Sequence, residues 1–256
     1  MRILKLLFVA VGCVLFTSCL EINEETQIKD NGSGQISTTM DMAQLIDMMQ
    51  AMGGDEFDKK KDEKIDSVIN LKDIVDTAKN LTAEQKSLLR DGKVRIKMDL
   101  GAKEFKINMN YPFANLEKLQ KLNSTLASGG MGFGNVMKDA MGGSKDEGGD
   151  KPSETSEMDQ LLGIFDYNIS NGLIKKSVNM ERLKKLQENP KMAEMKQGAD
   201  MGIEVLYNVT YKLPRPAKKV DNAKAKLSDD KRTVTLRNNL MDIFTKPEQF
   251  AFTIEY

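Results

Sequence analysis

The chain has no histidine and no tryptophan, aromatic residues make up only 6% of it, and it holds two cysteines. Without histidine, Ser-His-Asp and Cys-His catalysis and every histidine-containing metal site are excluded. An excess of charge of either sign is also missing. The 38 basic residues balance 38 acidic ones, so there is no basic footprint for nucleic acid. Long apolar runs are absent as well. The run from Leu6 to Phe16 covers eleven residues, below the roughly 20 that a membrane-spanning helix needs.

That short run nevertheless has a plain reading. Arg2 and Lys5 precede it, and Thr17, Ser18 and Cys19 follow, which is the order of a signal peptide: charged region, apolar region, cleavage region. Cys13 lies inside the apolar stretch and leaves with it. An exported chain starting at Cys19 then has one cysteine and cannot form an internal disulfide. With Arg2 and Lys5 removed, its net charge is −2.

Beyond Cys19 the pattern turns to water-facing hairpins. Ile22 and Ile28 fall in one run and Ile36, Thr38 and Met40 in the next, around Asp30-Asn31-Gly32-Ser33-Gly34, where Asn-Gly supplies positive φ cheaply. This stretch lacks the alternating acidic ligands and the distal glutamate of a calcium loop. Met42, Leu45, Ile46, Met49 and Met52 then recur at helical spacing up to Gly53-Gly54. Such a methionine stripe is either core or, because methionine adapts its shape, the lining of an apolar groove. Residues 55–64 read as a charged, solvated loop.

Thr82 and Gln85 frame a capping box. Val94 to Leu100 and Phe105 to Tyr111 alternate apolar with polar residues, the mark of antiparallel strands with one wet face. Pro112 is expected to end the second of them, before an amphipathic helix carrying Leu116, Leu119, Leu122 and Leu126. Residues 127–157 are rich in glycine and lack a pattern, so a disordered insertion is expected there. A hairpin turning at Asn171-Gly172 follows, then a helix around Leu183 and Leu186, and then a strand carrying Val205, Tyr207, Val209, Tyr211 and Leu213. The last segments read strand, short helix, strand and end on Phe252, Ile254 and Tyr256, a face expected to be docked.

No catalytic motif emerges. Ser228-Asp229-Asp230-Lys231 has the Ser-x-x-Lys spacing of some acyl-transfer enzymes, but its position before a strand reads as a hairpin turn. Gly130, Gly132 and Gly134 have neither the preceding strand nor the helix cap of a phosphate loop. Carboxylate-pair hydrolysis needs no histidine, but 38 acidic residues will form pairs by chance, and the chain is poor in aromatic sugar platforms. Asp66-Ser67-Val68 and Asp76-Thr77-Ala78 look like the three-residue O-glycosylation signal of exported Bacteroidota proteins, with Ser67 and Thr77 as acceptors, or equally like turns and helix caps.

Phe16-Thr17-Ser18-Cys19 resembles a bacterial lipobox, which implies cleavage before an acylated Cys19. The acidic segment after Cys19, the "DNGSG" turn and the distal "YKLPRPAKKVDNAKAKLSDDKRTVTLRNNLMDIF" together resemble the LppM-type group of bacterial lipoproteins, over residues 19–42 and 203–256. The group brings no catalytic motif; a role in lipid handling is what the resemblance implies.

The expected architecture is one α+β domain: an antiparallel twisted sheet built from hairpins, amphipathic helices on one face, and the insertion between residues 19–126 and 158–256. The expected function is a non-catalytic binding or scaffolding role at the cell envelope, anchored to the outer membrane through acylated Cys19, with a protein or lipid partner, no nucleic acid and no cofactor. The alternative is a carrier of an apolar ligand, lined by Met42, Met49, Met52, Tyr207 and Tyr211.

Overall fold

A computed structural model describes residues 19–44, 46, 62, 64–79, 81–128, 157–192 and 204–256. The expectations for Met49, Met52, Gly130, Gly132, Gly134 and nearly all of the insertion fall outside these residues.

β1 (Cys19–Ile28) and β2 (Gly34–Asp41) form the first hairpin, with Ile28 opposite Gly34. Its turn is closed by the Gly32 N–H donating to the Lys29 carbonyl, with Gly32 at φ +79° and Asn31 Oδ1 accepting from Ser33. β3 (Lys64–Asn70) leads into α1 (Leu71–Thr77), and α2 (Ala83–Leu89) opens on the Thr82–Gln85 capping box, with both reciprocal hydrogen bonds made. β4 (Lys93–Asp99) and β5 (Glu104–Phe113) pair antiparallel, and α3 (Leu116–Ala127) follows, capped by Asn115.

β5 runs one residue past Pro112, where the sequence predicts its end. The Met42 N–H donates to the Phe105 carbonyl, so by strand alternation Gln35 and Pro112 face each other at a position without backbone bonds. The nitrogen of Pro112 points instead toward the β4 side, beyond Lys93, where β4 offers no partner.

After α4 (Glu157–Leu162), β6 (Phe165–Ser170) and β7 (Leu173–Val178) form the second hairpin across Asn171-Gly172, with Gly172 at φ +85°. α5 (Met180–Gln187), β8 (Glu204–Lys212), β9 (Lys219–Val220), β10 (Lys226–Leu227) and β11 (Thr233–Asn239) follow. Two 3-10 turns (Leu240–Phe244 and Pro247–Phe250) precede β12 (Phe252–Glu255). Ser228 to Lys231 is the β10–β11 turn, with Ser228 bonded to Asp230 and Lys231 at positive φ.

The fold is α+β, as the sequence predicts, but its strands divide between two sheets. The larger has the order β10-β11-β8-β1-β2-β5-β4-β3 and the smaller β6-β7-β12-β9. One pairing departs from the antiparallel expectation: β1 lies parallel to β8, with Cys19 opposite Glu204 and Ile22 opposite Tyr207. A hairpin pattern is local, whereas this pair joins the first described strand to one about 180 residues later, which periodicity does not encode.

Ile22, Ile36, Met40, Ile107, Tyr111, Val94, Ile96, Tyr207, Val209, Tyr211 and Leu236 line one face of the larger sheet and are all buried. α3, α4 and the smaller sheet cover that face, forming a single core. Gly92 marks how tight the layer is. A Cβ there would come within 2.8 Å of Leu71 and Tyr111 side-chain carbons. The opposite face is polar. Asn208 donates to Glu21 and Asn23, Asn108 to Ser37 and Thr39, and Lys212 to Glu25.

Candidate functional site

Among the described residues, polar chemistry meets a cavity or cleft in several places, and two of them adjoin β1. The first lies inside, where β1, β7 and β8 meet. Lys176, 1% exposed, donates to the Tyr207 hydroxyl at 2.6 Å, and that hydroxyl donates to Glu24 Oε2 at 2.7 Å. The ammonium also sits 3.9 Å from the Phe165 ring centre, 4.7 Å from that of Tyr207 and 5.4 Å from that of Tyr167. Rings with negative faces on several sides partly replace the lost hydration of a buried cation.

Burial still dominates. It lowers the Lys176 pKa from 10.5 to about 8, while the nearby Glu24 charge pulls the other way. Burial likewise pushes the hydroxyls of Tyr167, Tyr207 and Tyr211 well above the usual tyrosine range, and the Glu24 carboxylate adds to that shift. Glu24 Oε1 and the Tyr211 hydroxyl are buried without a hydrogen-bond partner.

Beside this relay is a cavity of about 80 Å³ bordered by Glu24, Tyr167, Tyr207, Asn123, Asp159 and Met109, among others. Pockets for drug-sized ligands begin near about 300 Å³. The cavity has room for a few waters and none for an acyl chain. Of the residues that the sequence nominates as an apolar-ligand lining, Tyr207 borders it, but its hydroxyl is committed to the relay. Met42 is 7% exposed and packed in the core, and Tyr211 packs edge-on against Phe252 with ring centres 5.5 Å apart.

The second place is a cleft of about 550 Å³ at the far end of β1 from Cys19. Three chain reversals build it. The β1–β2 turn supplies Lys29, Asp30 and Asn31, the start of α3 supplies Asn115, and the β6–β7 turn supplies Asn171. Arg215, on the segment after β8, closes one side by donating to Asn171 Oδ1 at 2.8 Å while its guanidinium lies 5.5 Å from the centre of the Tyr256 ring. Tyr256 is 2% exposed, and its N–H donates to the Gly172 carbonyl, so the end of the sequence forms one wall. The cleft sets two cations, a carboxylate and three amides beside Ile28, Leu116 and Pro214, a lining that offers a partner fixed polar contacts next to apolar ones.

Cys19 is the first residue of β1, so the strand at the middle of the larger sheet starts at the candidate lipidation residue without a spacer. Ser67 sits half-buried within β3. Thr77 is exposed at the end of α1, where its hydroxyl donates to the Asp73 and Ile74 carbonyls. Among the described residues no cluster of three or more His, Cys, Asp or Glu side chains is placed to hold a metal, and no helix is long and apolar enough to cross a membrane.

Sequence reasoning missed Lys176 and Glu24. The signal was present: Glu24 shares a strand face with Ile22, Thr26 and Ile28, and Lys176 shares one with Ile174. A charged residue at an inward position of an alternating strand marks a buried polar network.

No family model, curated protein or solved structure matches the chain.

Proposed function

We propose that the protein is a lipid-anchored protein of the bacterial cell envelope, held at the outer membrane through acylated Cys19, that binds or scaffolds a polar partner and has no catalytic role. One observation carries this reading: the anchor residue and the polar cleft lie at opposite ends of the same strand. β1 runs ten residues from Cys19 to Ile28, a distance of about 30 Å at the usual strand rise. A chain fastened at Cys19 therefore turns the cleft around Lys29, Asn31, Asn115 and Arg215 away from the bilayer, toward whatever occupies the periplasm.

The energetics of the anchor agree. Each buried methylene contributes about 0.8 kcal/mol, so two or three acyl chains hold the protein on the membrane for its lifetime. The absence of a spacer between Cys19 and β1 keeps the domain close to the surface. The small cavity beside Tyr207 does not favour the apolar-ligand carrier, and the Lys176 ammonium is itself enclosed by the core.

Membrane fractionation of the native chain and of Cys19→Ala tests the proposal. The native chain is expected in the detergent-soluble outer-membrane fraction, cut at Cys19, and the variant, which can be neither acylated nor cut there, is expected outside that fraction with residues 1–18 retained. Recovery of the variant in the outer-membrane fraction beside the native chain, cut at the same place, removes the acyl anchor.

A further inference from the structure

The two sheets have four edges, and the chain treats them differently. β9 and β10 are only two residues long, too short to template another strand. β6 is six residues long but lies under α3, and the Ile169 N–H is satisfied by Gln120 Oε1 at 3.0 Å. β3 has neither protection. It pairs with β4 without interruption from Lys64 opposite Asp99 to Asn70 opposite Lys93, it contains no proline, glycine or bulge, and among the described residues nothing pairs with its outer side.

The side chains of β3 match this open edge. Val68 is 58% exposed, and Ile65 and Ile69 are only half-buried although they pack against the core. Asp66, the one carboxylate in the strand, is held by two hydrogen bonds from Arg95, both at 2.9 Å. An edge with this much unsatisfied backbone and apolar surface is built to be covered.

We propose that β3 pairs with β3 of a second copy of this chain, antiparallel about a two-fold axis through Ser67, joining the two larger sheets into one. The strand is self-complementary in that register. A centre at Ser67 matches all seven residues of β3, placing Ile65 opposite Ile69 of the partner on the core side and Asp66 opposite Val68 on the wet side. A centre at Asp66 would set two carboxylates face to face, and a centre at Val68 would push Ile69 against Ser67 and shorten the overlap.

The backbone agrees as well. The Leu71 N–H donates to the Gly92 carbonyl, so by alternation the backbone groups of Ile65, Ser67 and Ile69 turn toward β4. Those of Lys64, Asp66, Val68 and Asn70 turn outward. In the two-fold register these outward residues face one another as hydrogen-bonded pairs, Lys64 with Asn70 and Asp66 with Val68. Ser67 meets Ser67 at a position without backbone bonds, where Cα atoms approach to about 4.5 Å.

Three variants of the chain starting at residue 19 and carrying Cys19→Ala, with Val68→Cys as the control, test the pairing. Val68→Pro removes only an outward N–H and leaves the β3–β4 bonds intact, so it breaks the dimer and not the fold. Ser67→Cys brings the only two thiols together across the axis, within disulfide range. The expected results are sedimentation of the parent at twice its monomer mass at about 100 µM, a monomer for Val68→Pro with circular dichroism unchanged, and oxidation of Ser67→Cys to a covalent dimer at least tenfold faster than Val68→Cys. A parent that stays monomeric overturns the proposal and leaves the edge to a strand from another protein. A dimer that survives Val68→Pro while Ser67→Cys fails to cross-link places the contact elsewhere and overturns it equally.

Discussion

Glu24 and Glu25 are neighbours on β1, each is linked to a lysine, and they lie on opposite faces of the same sheet. Outside, Glu25 accepts directly from Lys212 at 2.8 Å, with the lysine side chain 47% and the glutamate 36% exposed. Inside, Glu24 reaches Lys176 only through the Tyr207 hydroxyl, and the lysine is enclosed by aromatic rings. The outer pair exchanges water for a partner at little net gain, a few tenths of a kcal/mol. Lys176 has given up its hydration, so each remaining partner matters, and losing Glu24 leaves the ammonium with only the Tyr207 hydroxyl and the aromatic rings. The same two residue types are decoration on one face and a constraint on the other.

The comparison can be broken most severely by removing residues 253–256. Phe252 pairs with Lys176, and Ile254 and Tyr256 beyond it are 0% and 2% exposed, so the deletion unseats the strand that holds the lysine. A loss of at least about 4 kcal/mol is expected, the cost of two large buried side chains. A chain ending at Phe252 that unfolds at the same urea concentration as the parent would show that β12 is dispensable.

Glu24→Gln should cost about 3 kcal/mol, because it leaves the Lys176 ammonium uncompensated, whereas Glu25→Gln should cost less than about 0.5 kcal/mol. Adding Lys176→Met to Glu24→Gln should restore most of the loss, since a hydrophobic side chain of similar length needs no counter-charge. Equal effects of the two glutamate substitutions in denaturant unfolding would erase the distinction between the faces.

Smaller, but specific to the inner group, is the response to alkali. An unfolded lysine keeps its proton to pH 10.5, while native Lys176 releases it near about 8, so between these values the unfolded chain binds more protons and stability rises with pH. All five tyrosines act the other way, because burial raises their native values and they ionise first in the unfolded chain, from about pH 9 upward. Stability should therefore climb by about 1 kcal/mol above pH 8, pass a maximum between about pH 9 and 10, and then fall. In Lys176→Met the climb should vanish and the fall remain. A climb of the same size in that variant would assign the effect to another group.

Much of the fold was legible because it is local. The DNGSG and Asn-Gly turns, the alternation in β4 and β5, the Thr82–Gln85 capping box and the β10–β11 turn at Ser228–Lys231 each need only a few neighbouring residues to be specified. β3 was hidden by its position at an edge: Val68 points to water, which blurs the alternation of Ile65, Ser67 and Ile69, and the charged stretch before it reads as loop. α1 is seven residues long, too short for its period to stand out. The β1–β8 pairing, the split into two sheets and the far cleft are tertiary outcomes. Asn31, Asn115, Asn171 and Arg215 come together only when three separate reversals converge, and no spacing in the sequence records that. Methionines and tyrosines predicted as candidate ligand lining were legible as apolar positions, but apolarity alone does not separate a packed core from a cavity. Met42 and Tyr211 are core.

The measurement that bears most directly on the central claim is the intact mass of the protein extracted from its native membrane. The account predicts a chain beginning at Cys19 and carrying the added mass of two or three acyl chains. A chain cut at Cys19 with an unmodified thiol, or one that keeps residues 1–18, would contradict it and return the protein to the class of domains without a lipid anchor.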